Sequence, residues 1–529
     1  MTVVILGIAL VILLCVLAEK FSDKFGMPAL ILFMFIGMLF GSDGIFKIPF
    51  DNFVAAENIC SIALVFIMFY GGFNTKWSVA KPVAAKAIVL STFGVLLTAG
   101  ITTIVSKMLF GLTIQESFLI GSVLSSTDAA SVFAILRKHK LNLKDGTASI
   151  LEVESGSNDP VSYMLTIIAI SMLGKGESMN ILGLVILQMV FGILVGVMMS
   201  KISLFIMTKT NLISEGLDTI FMIAMVLVCY GVASVVNGNA YLSLYLFGIM
   251  IGNSRIRNKQ MLIPFFDGVT SLAQILIFFL IGLLSFPHQM PKIVPLALTI
   301  VVSLTLFARP IAVYVLMWPF KCSLRQNLLI SWAGLRGASS SVFAIMAVAA
   351  GISMKQDLFH IVFMVSLFSV AIQGTLLPYV AQKLDMVDND ADVRKTFNDY
   401  QEETALQLTT MYIPEGHNWA NKKIKEVSMP MGALALMIKR GEKTIVTKGD
   451  TKILAGDKVI FSVPPYVPSE DEKLEERYIS KKDIWCNKKI AELELGSNVL
   501  IAMIIRGEEN IIPDGKTLIR EKDVVVLYK

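Results

Sequence analysis

The chain is short of charge. Of its 529 residues only 16% are Asp, Glu, Lys or Arg, while 55% are hydrophobic. Soluble domains carry about 25% charged residues, so most of this chain faces lipid. Cysteine and histidine are also scarce, at 5 and 4. The cysteines (Cys15, Cys60, Cys229, Cys322, Cys486) are scattered without a disulfide framework or metal-ligand spacing, and the dispersed histidines argue against a zinc site. Met1 to Leu17 has no basic flank and no small-residue cleavage site, so it reads as a first spanning helix and not a removed signal peptide. A gated cation channel would need a selectivity filter such as Thr-Val-Gly-Tyr-Gly, and none is present, which makes a channel the weaker alternative. Ser155 and Ser157 have no histidine nearby in sequence, which speaks against an intramembrane serine enzyme. The net charge of +5 comes from basic residues in loops between apolar runs and implies no nucleic-acid partner.

What is present is a series of apolar runs. A spanning helix needs about 20 mostly apolar residues, and segmentation on that rule predicts about thirteen spans. They centre near Ile12, Phe35, Phe66, Leu96, Val123, Ile167, Phe191, Val226, Leu246, Phe278, Leu306, Phe343 and Phe368. Lysine and arginine collect on the cytoplasmic side of membranes. Alternate loops hold Lys20 and Lys24; Lys76 and Lys81; Arg137, Lys138, Lys140 and Lys144; Lys201 and Lys209; Arg255, Arg257 and Lys259; Lys321 and Arg325. The loops between them hold Lys47, Lys175, Lys292 and Lys355 or no basic residue. This alternation predicts a multi-pass protein of the cell's inner or plasma membrane, with the N-terminus outside, the polar tail in the cytoplasm and an odd number of spans.

Two spans carry breakers together with charge. Ser125-Ser-Thr-Asp-Ala-Ala-Ser131 interrupts one, and Gly334-Leu-Arg-Gly-Ala-Ser-Ser-Ser341 interrupts another. Small residues allow close helix packing, but that does not account for Asp128 or Arg336 at membrane depth. Paired interrupted helices are the usual pointer to a transporter site. Between them lies Glu152-Val-Glu-Ser-Gly-Ser-Asn-Asp-Pro-Val-Ser-Tyr163. Ionisable residues at membrane depth are expensive and mark ion pathways by default. Asp128 and Asp159 are therefore candidate carriers of a monovalent cation and a proton, with Thr127 and Ser155 as neutral oxygen ligands. Desolvation favours the neutral form of a carboxylate, so proton and cation compete for one group, and that competition gives exchange. Asn158 stands where a second acid would add charge, which points to electroneutral exchange. Glu154 is the natural partner for the intramembrane Arg309, as a structural ion pair.

Ser126-Thr-Asp128, Glu154-Ser-Gly-Ser-Asn-Asp-Pro160, Phe307-Ala-Arg309 and Gly334-Leu-Arg-Gly-Ala338 resemble the monovalent cation/proton antiporters of the NhaP and sodium–proton exchanger type, in order and over residues 1–383. The resemblance implies an all-α polytopic fold of thirteen helices in an inverted repeat, with two unwound helices that cross, elevator-like alternating access and a homodimer. It implies Asp159 as ion carrier, Asp128 and Thr127 at the crossing, and Arg309 paired with Glu154. One departure stands out: some archaeal relatives carry an acid on the third span, where this chain reads Phe69-Tyr-Gly-Gly72.

After a polar, acid-rich stretch over 384–404, expected to be a linker, the tail repeats itself. Tyr412-Ile413, Trp419, Asn421-Lys-Lys-Ile424, Met437-Ile438, Arg440-Gly-Glu442 and Asp457 recur in register as Tyr478-Ile479, Trp485, Asn487-Lys-Lys-Ile490, Met503-Ile504, Arg506-Gly-Glu508 and Asp523. Two tandem α/β units are expected, 405–466 and 467–529, each a short helix followed by strands such as Ala433 to Lys439 and Val499 to Ile505. Each unit resembles the C-terminal subdomain of regulators of potassium conductance, the RCK-C or TrkA-C module. No Gly-x-Gly-x-x-Gly fingerprint precedes the tail, so no dinucleotide cofactor is expected. The resemblance implies a ligand-responsive module. Cyclic di-AMP is the candidate ligand, with Arg506 on its phosphates and Ile504, Ile505, Ile512 and Pro513 against its bases. The tail's likeness to potassium regulators favours K+ over Na+ as the transported ion.

Overall fold

A computed structural model describes residues 2–25, 28–139, 141–174, 181–210, 213–214, 216–254, 256, 258–388, 407–427, 429, 433–441, 443–463, 474–479, 483, 485–493, 500–506, 509–511, 513–521 and 523–528. They fall into two compact units, Met1–Gln401 and Glu402–Lys529.

The first unit is helical. Its longer helices are α1 (Thr2–Phe25), α2 (Ala29–Phe40), α3 (Phe53–Asn74), α4 (Ala84–Phe110), α5 (Ile114–Val123), α6 (Ala129–Lys138), α7 (Thr147–Leu173) and α8 (Ile181–Lys209). The series continues with α9 (Asp218–Val235), α10 (Ala240–Gly252), α11 (Lys259–Leu283), α12 (Pro287–Phe320), α13 (Leu324–Trp332), α14 (Ala338–Ala349) and α15 (Leu358–Lys383). Among the described residues eight of these, α1, α3, α4, α8, α9, α11, α12 and α15, are long and apolar enough to cross a membrane. The other five expected centres fall elsewhere for readable reasons. Phe35, Leu246 and Phe343 lie in the shorter apolar helices α2, α10 and α14. Val123 ends α5, where the chain unwinds, and Ile167 lies in α7, which carries Glu152, Glu154 and Asp159.

Local chemistry sets the helix ends. Thr113 and Glu116 form a capping box on α5, and the side chains of Asn52, Asn239, Ser323 and Asp357 cap α3, α10, α13 and α15. Packing in lipid relies on close backbone approach. Gly37 of α2 and Gly282 of α11 supply one such contact: a Cβ on either would overlap the carbonyl of Phe279 or Met34 opposite. Wide π turns interrupt α12 at Leu304–Ala308 and α15 at Ser369–Gly374. The first ends at Arg309, and the following Pro310 has no N–H to continue the regular ladder.

Most of the expected linker, from residue 389 onward, lies outside the described residues. Its first residues stay with the membrane unit. Val387 bridges Leu143, Lys144 N–H donates to the Met386 carbonyl at 2.9 Å, and Asp388 N–H donates to the Asn142 carbonyl at 2.9 Å. Lys144 Nζ and Arg325 Nη1 reach the Asp385 carboxylate at 2.9 and 3.0 Å and hold it below the usual carboxylate range. The chain leaving α15 is thereby fastened to the loop joining α6 to α7.

Each tail unit is a four-stranded antiparallel sheet. The first contains β1 (Gln407–Tyr412), β2 (Leu434–Arg440), β3 (Lys443–Val446) and β4 (Lys458–Val463), in the order β1-β4-β2-β3. The second contains β5 (Leu474–Tyr478), β6 (Leu500–Arg506), β7 (Glu509–Ile511) and β8 (Val524–Tyr528), in the order β5-β8-β6-β7. Register shifts fall at equivalent places, between Ala435 and Met437 and between Ile501 and Met503. The short helix expected in each unit is, among the described residues, a three-residue 3-10 turn, Ile424–Glu426 and Ile490–Glu492, and it follows a strand. The reason is local. Asn421 adopts left-handed backbone (φ 68°), and the N–H groups of Asn421, Ile424 and Lys425 donate across to Ile453, Thr451 and Gly449, leaving no i to i−4 ladder.

Candidate functional site

Helix α7 sets out its polar groups one turn apart, so Glu154 and Asn158 share one face and Ser155 and Asp159 an adjacent one. Pro160 within the helix removes an N–H, and its own carbonyl accepts from Asn239 Nδ2 at 2.7 Å, which ties α7 to the start of α10. Gly156 lies against the Tyr245 ring, with no room for a Cβ.

The two interrupted helices meet beside this face. The chain is unwound from Leu124 to Asp128, between α5 and α6, and from Ala333 to Gly337, between α13 and α14. Asp128 N–H donates to the Leu335 carbonyl at 2.9 Å, which joins the two breaks directly. Both helix ends at the first break have a partner. Arg336 Nη1 donates to the carbonyls of Ser125 and Ser126 at 3.0 and 2.5 Å, just past the C-terminus of α5, and its N–H donates to Ser369 Oγ at 3.0 Å, on the π turn of α15. The Asp128 carboxylate accepts from Ser131 N–H and Oγ at 3.2 and 2.6 Å, at the N-terminus of α6, where an anion is favoured. It also lies against Gly337, where any Cβ would overlap Oδ2.

Asp159 is 4% exposed. Its Oδ1 accepts from Ser126 Oγ, and its Oδ2 accepts from Ser339 Oγ at 2.8 Å, so one oxygen faces each break. Thr127 is held twice by α7: Ser155 Oγ donates to its carbonyl at 2.5 Å and Asn158 Nδ2 to its Oγ1 at 2.5 Å. Asn158 is fully buried, and its Oδ1 has no hydrogen-bond partner among the described residues. Arg309 Nη2 lies 2.7 Å from both Glu154 oxygens, and both side chains are almost wholly buried. A cavity of about 190 Å³ opens on this assembly and is bordered by Thr127, Asp128, Glu152, Ser155, Asp159 and Ser339. Thus Asp128, Asp159, Thr127, Ser155, Asn158 and Arg336 come together around the crossing, with the Glu154–Arg309 pair behind them. The arrangement offers a buried carboxylate, hydroxyls and carbonyls to a small monovalent ion or a proton.

Four further polar residues line the same cavity: Asp267, Thr270, Ser271 and Gln274 of α11. Sequence reading passed over them because they match no motif. Their spacing of i, i+3, i+4, i+7 was the available signal, since it places one polar stripe on an otherwise apolar helix.

The ligand residues expected in the tail are disposed differently. Ile504 is fully buried in the core of its own sheet, beside Ile479, Ile519 and Val525. Arg506 makes two 2.8 Å hydrogen bonds to the buried carboxylate of Asp523 and one to the Leu518 carbonyl. The same triad recurs as Arg440, Asp457 and Lys452. The Arg440 guanidinium holds the Asp457 carboxyl below its usual range. Arg506 and Ile504 thus make these contacts within their own unit, while the ligand cleft implied by the resemblance is one between paired units. Pro513 is partly exposed, Ile505 lies on β6, and Ile512 is outside the described residues.

The family described as sodium/hydrogen exchanger, transmembrane, matches residues 8–383, and the TrkA-C domain matches 408–465 and 474–528. The chain is similar to the K(+)/H(+) antiporter NhaP2 of Shewanella baltica, 30% identical over 456 residues that cover 85% of this chain and 79% of that protein. It is similar also to the K(+)/H(+) antiporter NhaP of Alkalimonas amylolytica, 30% identical over 465 residues, 87% of this chain and 80% of the relative. Its fold is like that of the sodium proton antiporter MjNhaP1 from Methanocaldococcus jannaschii, with a TM-score of 0.63 at 22% identity, over 72% of this chain and 99% of that one.

Proposed function

Since the chain belongs to the sodium/hydrogen exchanger family, as an NhaP-type cation/proton antiporter with a C-terminal TrkA-C tail, we propose that it exchanges cytosolic K+ for H+ one for one across the plasma membrane. It is a transporter and not an enzyme. The observation that carries the reading is Asp159, a nearly buried carboxylate held by Ser126 of the first helix break and by Ser339 at the start of α14, and bordering the cavity. A carboxylate there binds a proton or a cation, and whichever enters displaces the other. K+ is favoured by the names of the relatives and by the TrkA-C tail. The likeness to a sodium proton antiporter makes Na+ the second reading, with the tail as a structural cap. Asp128 and Thr127 assist at the crossing, with Ser155 and Asn158 positioning Thr127.

The finer reading is thirteen spans in an inverted repeat, an elevator-like movement and a homodimer. The two helix breaks joined at Asp128 and Leu335 support the repeat. The alternation of basic loops supports an outside N-terminus and a cytoplasmic tail.

Asn158 leaves the pair at positions 158 and 159 with one carboxylate, so either loaded form has the same charge. In proteoliposomes, K+ and Rb+ gradients are expected to drive proton flux more strongly than Na+ or Li+, at a rate independent of an imposed membrane potential. A rate that tracks the potential overturns the one-for-one scheme, and a preference for Na+ selects the second reading.

The tail is proposed to regulate exchange, with cyclic di-AMP as the candidate ligand. A ligand shifts a conformational equilibrium only by binding one state better. Residues 385–388 fasten the end of α15 to the loop that joins the Asp128 helix to the Asp159 helix, a route by which tension from the tail reaches the site. Deleting 389–529 is expected to preserve exchange while abolishing its response to a cytosolic nucleotide. The check is flux against pH with and without cyclic di-AMP, ATP or NADH, and identical profiles in both chains would make the tail a cap.

A further inference from the structure

The part of the cavity lining that α11 supplies is built for something other than packing. Asp267, Thr270, Ser271 and Gln274 form one polar stripe of α11 along it. An acid in a membrane helix is costly unless it is used. Tyr70 of α3 donates to Asp267 Oδ1 at 3.1 Å, so the carboxylate is positioned by a neutral donor. Thr270 gives an independent indication. Thr102, Thr103, Thr166 and Thr299 each return the hydroxyl to the carbonyl one turn back, at 2.7 to 2.8 Å, the usual way to satisfy such a group in a helix. Thr270 is only 9% exposed, and its Oγ1 has no hydrogen-bond partner among the described residues, although it borders the cavity one turn from Asp267. A buried hydroxyl left unsatisfied is costly, and an entering ion or its water would relieve that cost.

We propose that Asp267, Thr270 and Gln274 form a second monovalent-cation position, where an incoming K+ is held and partly dehydrated before it passes to Asp159. The chemistry is that of a weak alkali-cation site: one negative charge, one hydroxyl and one amide carbonyl, with room for retained water in a cavity of about 190 Å³. One charge suits a transient position, because an ion must leave it again toward Asp159. The position lies on a different helix from the Asp159 carrier, so it governs capture of the cation and not the competition between cation and proton. The inference rests on the antiport reading, and it assigns Asp267 and Thr270 to cation affinity.

The test uses the full-length protein with Rb+ as probe. In proteoliposomes, Asp267→Asn is expected to raise the KM for Rb+ about tenfold, the cost of one charge-assisted ligand contact, with a smaller fall in maximal rate. Thr270→Val is expected to do the same more weakly, and Asp267→Glu to recover most of the affinity. Independently of transport, stabilisation of the detergent-solubilised protein by RbCl is expected to persist in Asp159→Asn and to vanish in the Asp159→Asn, Asp267→Asn double variant. An unchanged KM in folded Asp267→Asn, or Rb+ stabilisation that does not depend on Asp267, overturns the proposal. If the wild type carries no cation-driven proton flux yet loses Rb+ stabilisation with Asp267, the antiport reading fails while the binding position stands.

Discussion

Asp159→Asn is expected to reduce cation-driven proton flux to the leak of empty liposomes, a loss of at least about a hundredfold, with folding intact. The expectation follows from what an amide keeps and what it loses. Asparagine has nearly the same shape, and its oxygen can still accept from one of the two serines, Ser126 or Ser339, that hold the carboxylate. It cannot bind a proton in the working pH range, and it brings no charge to offset that of a cation. Both loaded forms of the carrier are lost together. Stability should not fall with activity, because taking one buried charge away removes a desolvation cost. The melting temperature of the purified variant should therefore match or exceed that of the wild type. The competition also has a signature in the wild type: raising the proton concentration on the cation side should raise the apparent KM for K+ without lowering the maximal rate. Cation-driven flux retained in Asp159→Asn would remove this residue from the mechanism.

What could be read in advance divides along a physical line. Composition and hydropathy are additive along the chain, so the long spans were legible without knowing their neighbours. Charges out of place in apolar runs were legible as well, since cost marks them: Asp128, Glu154, Asp159, Arg309 and Arg336 all stand in such runs and lie at or beside the crossing. The tail's repeat was legible because two copies report on each other. Contacts that depend on register between distant elements were not. Asp267 is as exceptional in its helix as Asp159 is in α7, yet nothing local says that it borders the same cavity. Arg506 is an exposed-looking basic residue in sequence, and only the pairing of β6 with β8 brings it to Asp523. The duplication held that clue, because arginine and aspartate recur together as Arg440 and Asp457. The fastening of residues 385–388 to the loop after α6 has no sequence signature at all, being made largely by backbone groups.

Removing one member of the Glu154–Arg309 pair is expected to destabilise the protein by about 3–5 kcal/mol, more than removing both. The two side chains are 1% and 2% exposed and in contact at 2.7 Å. Either charge left alone in that environment has no water to turn to, whereas the double Glu154→Ala, Arg309→Ala variant leaves a neutral cavity whose cost is that of lost packing. The two single variants should also differ from each other. Arg309 and Arg336 border one small cavity, and the acceptors drawn to Arg336 in the structure are backbone carbonyls and not a carboxylate. Glu154→Ala would leave two buried cations facing each other across that cavity, while Arg309→Ala would leave one carboxylate with Arg336 near by. The order of stability should therefore run from wild type through the double variant and Arg309→Ala to Glu154→Ala as the least stable. Thermal unfolding of the four purified proteins in one detergent measures it directly. Equal losses in the single and double variants would mean that the pair contributes nothing as a pair, and a Glu154→Ala more stable than Arg309→Ala would mean that Arg336 does not depend on the same carboxylate.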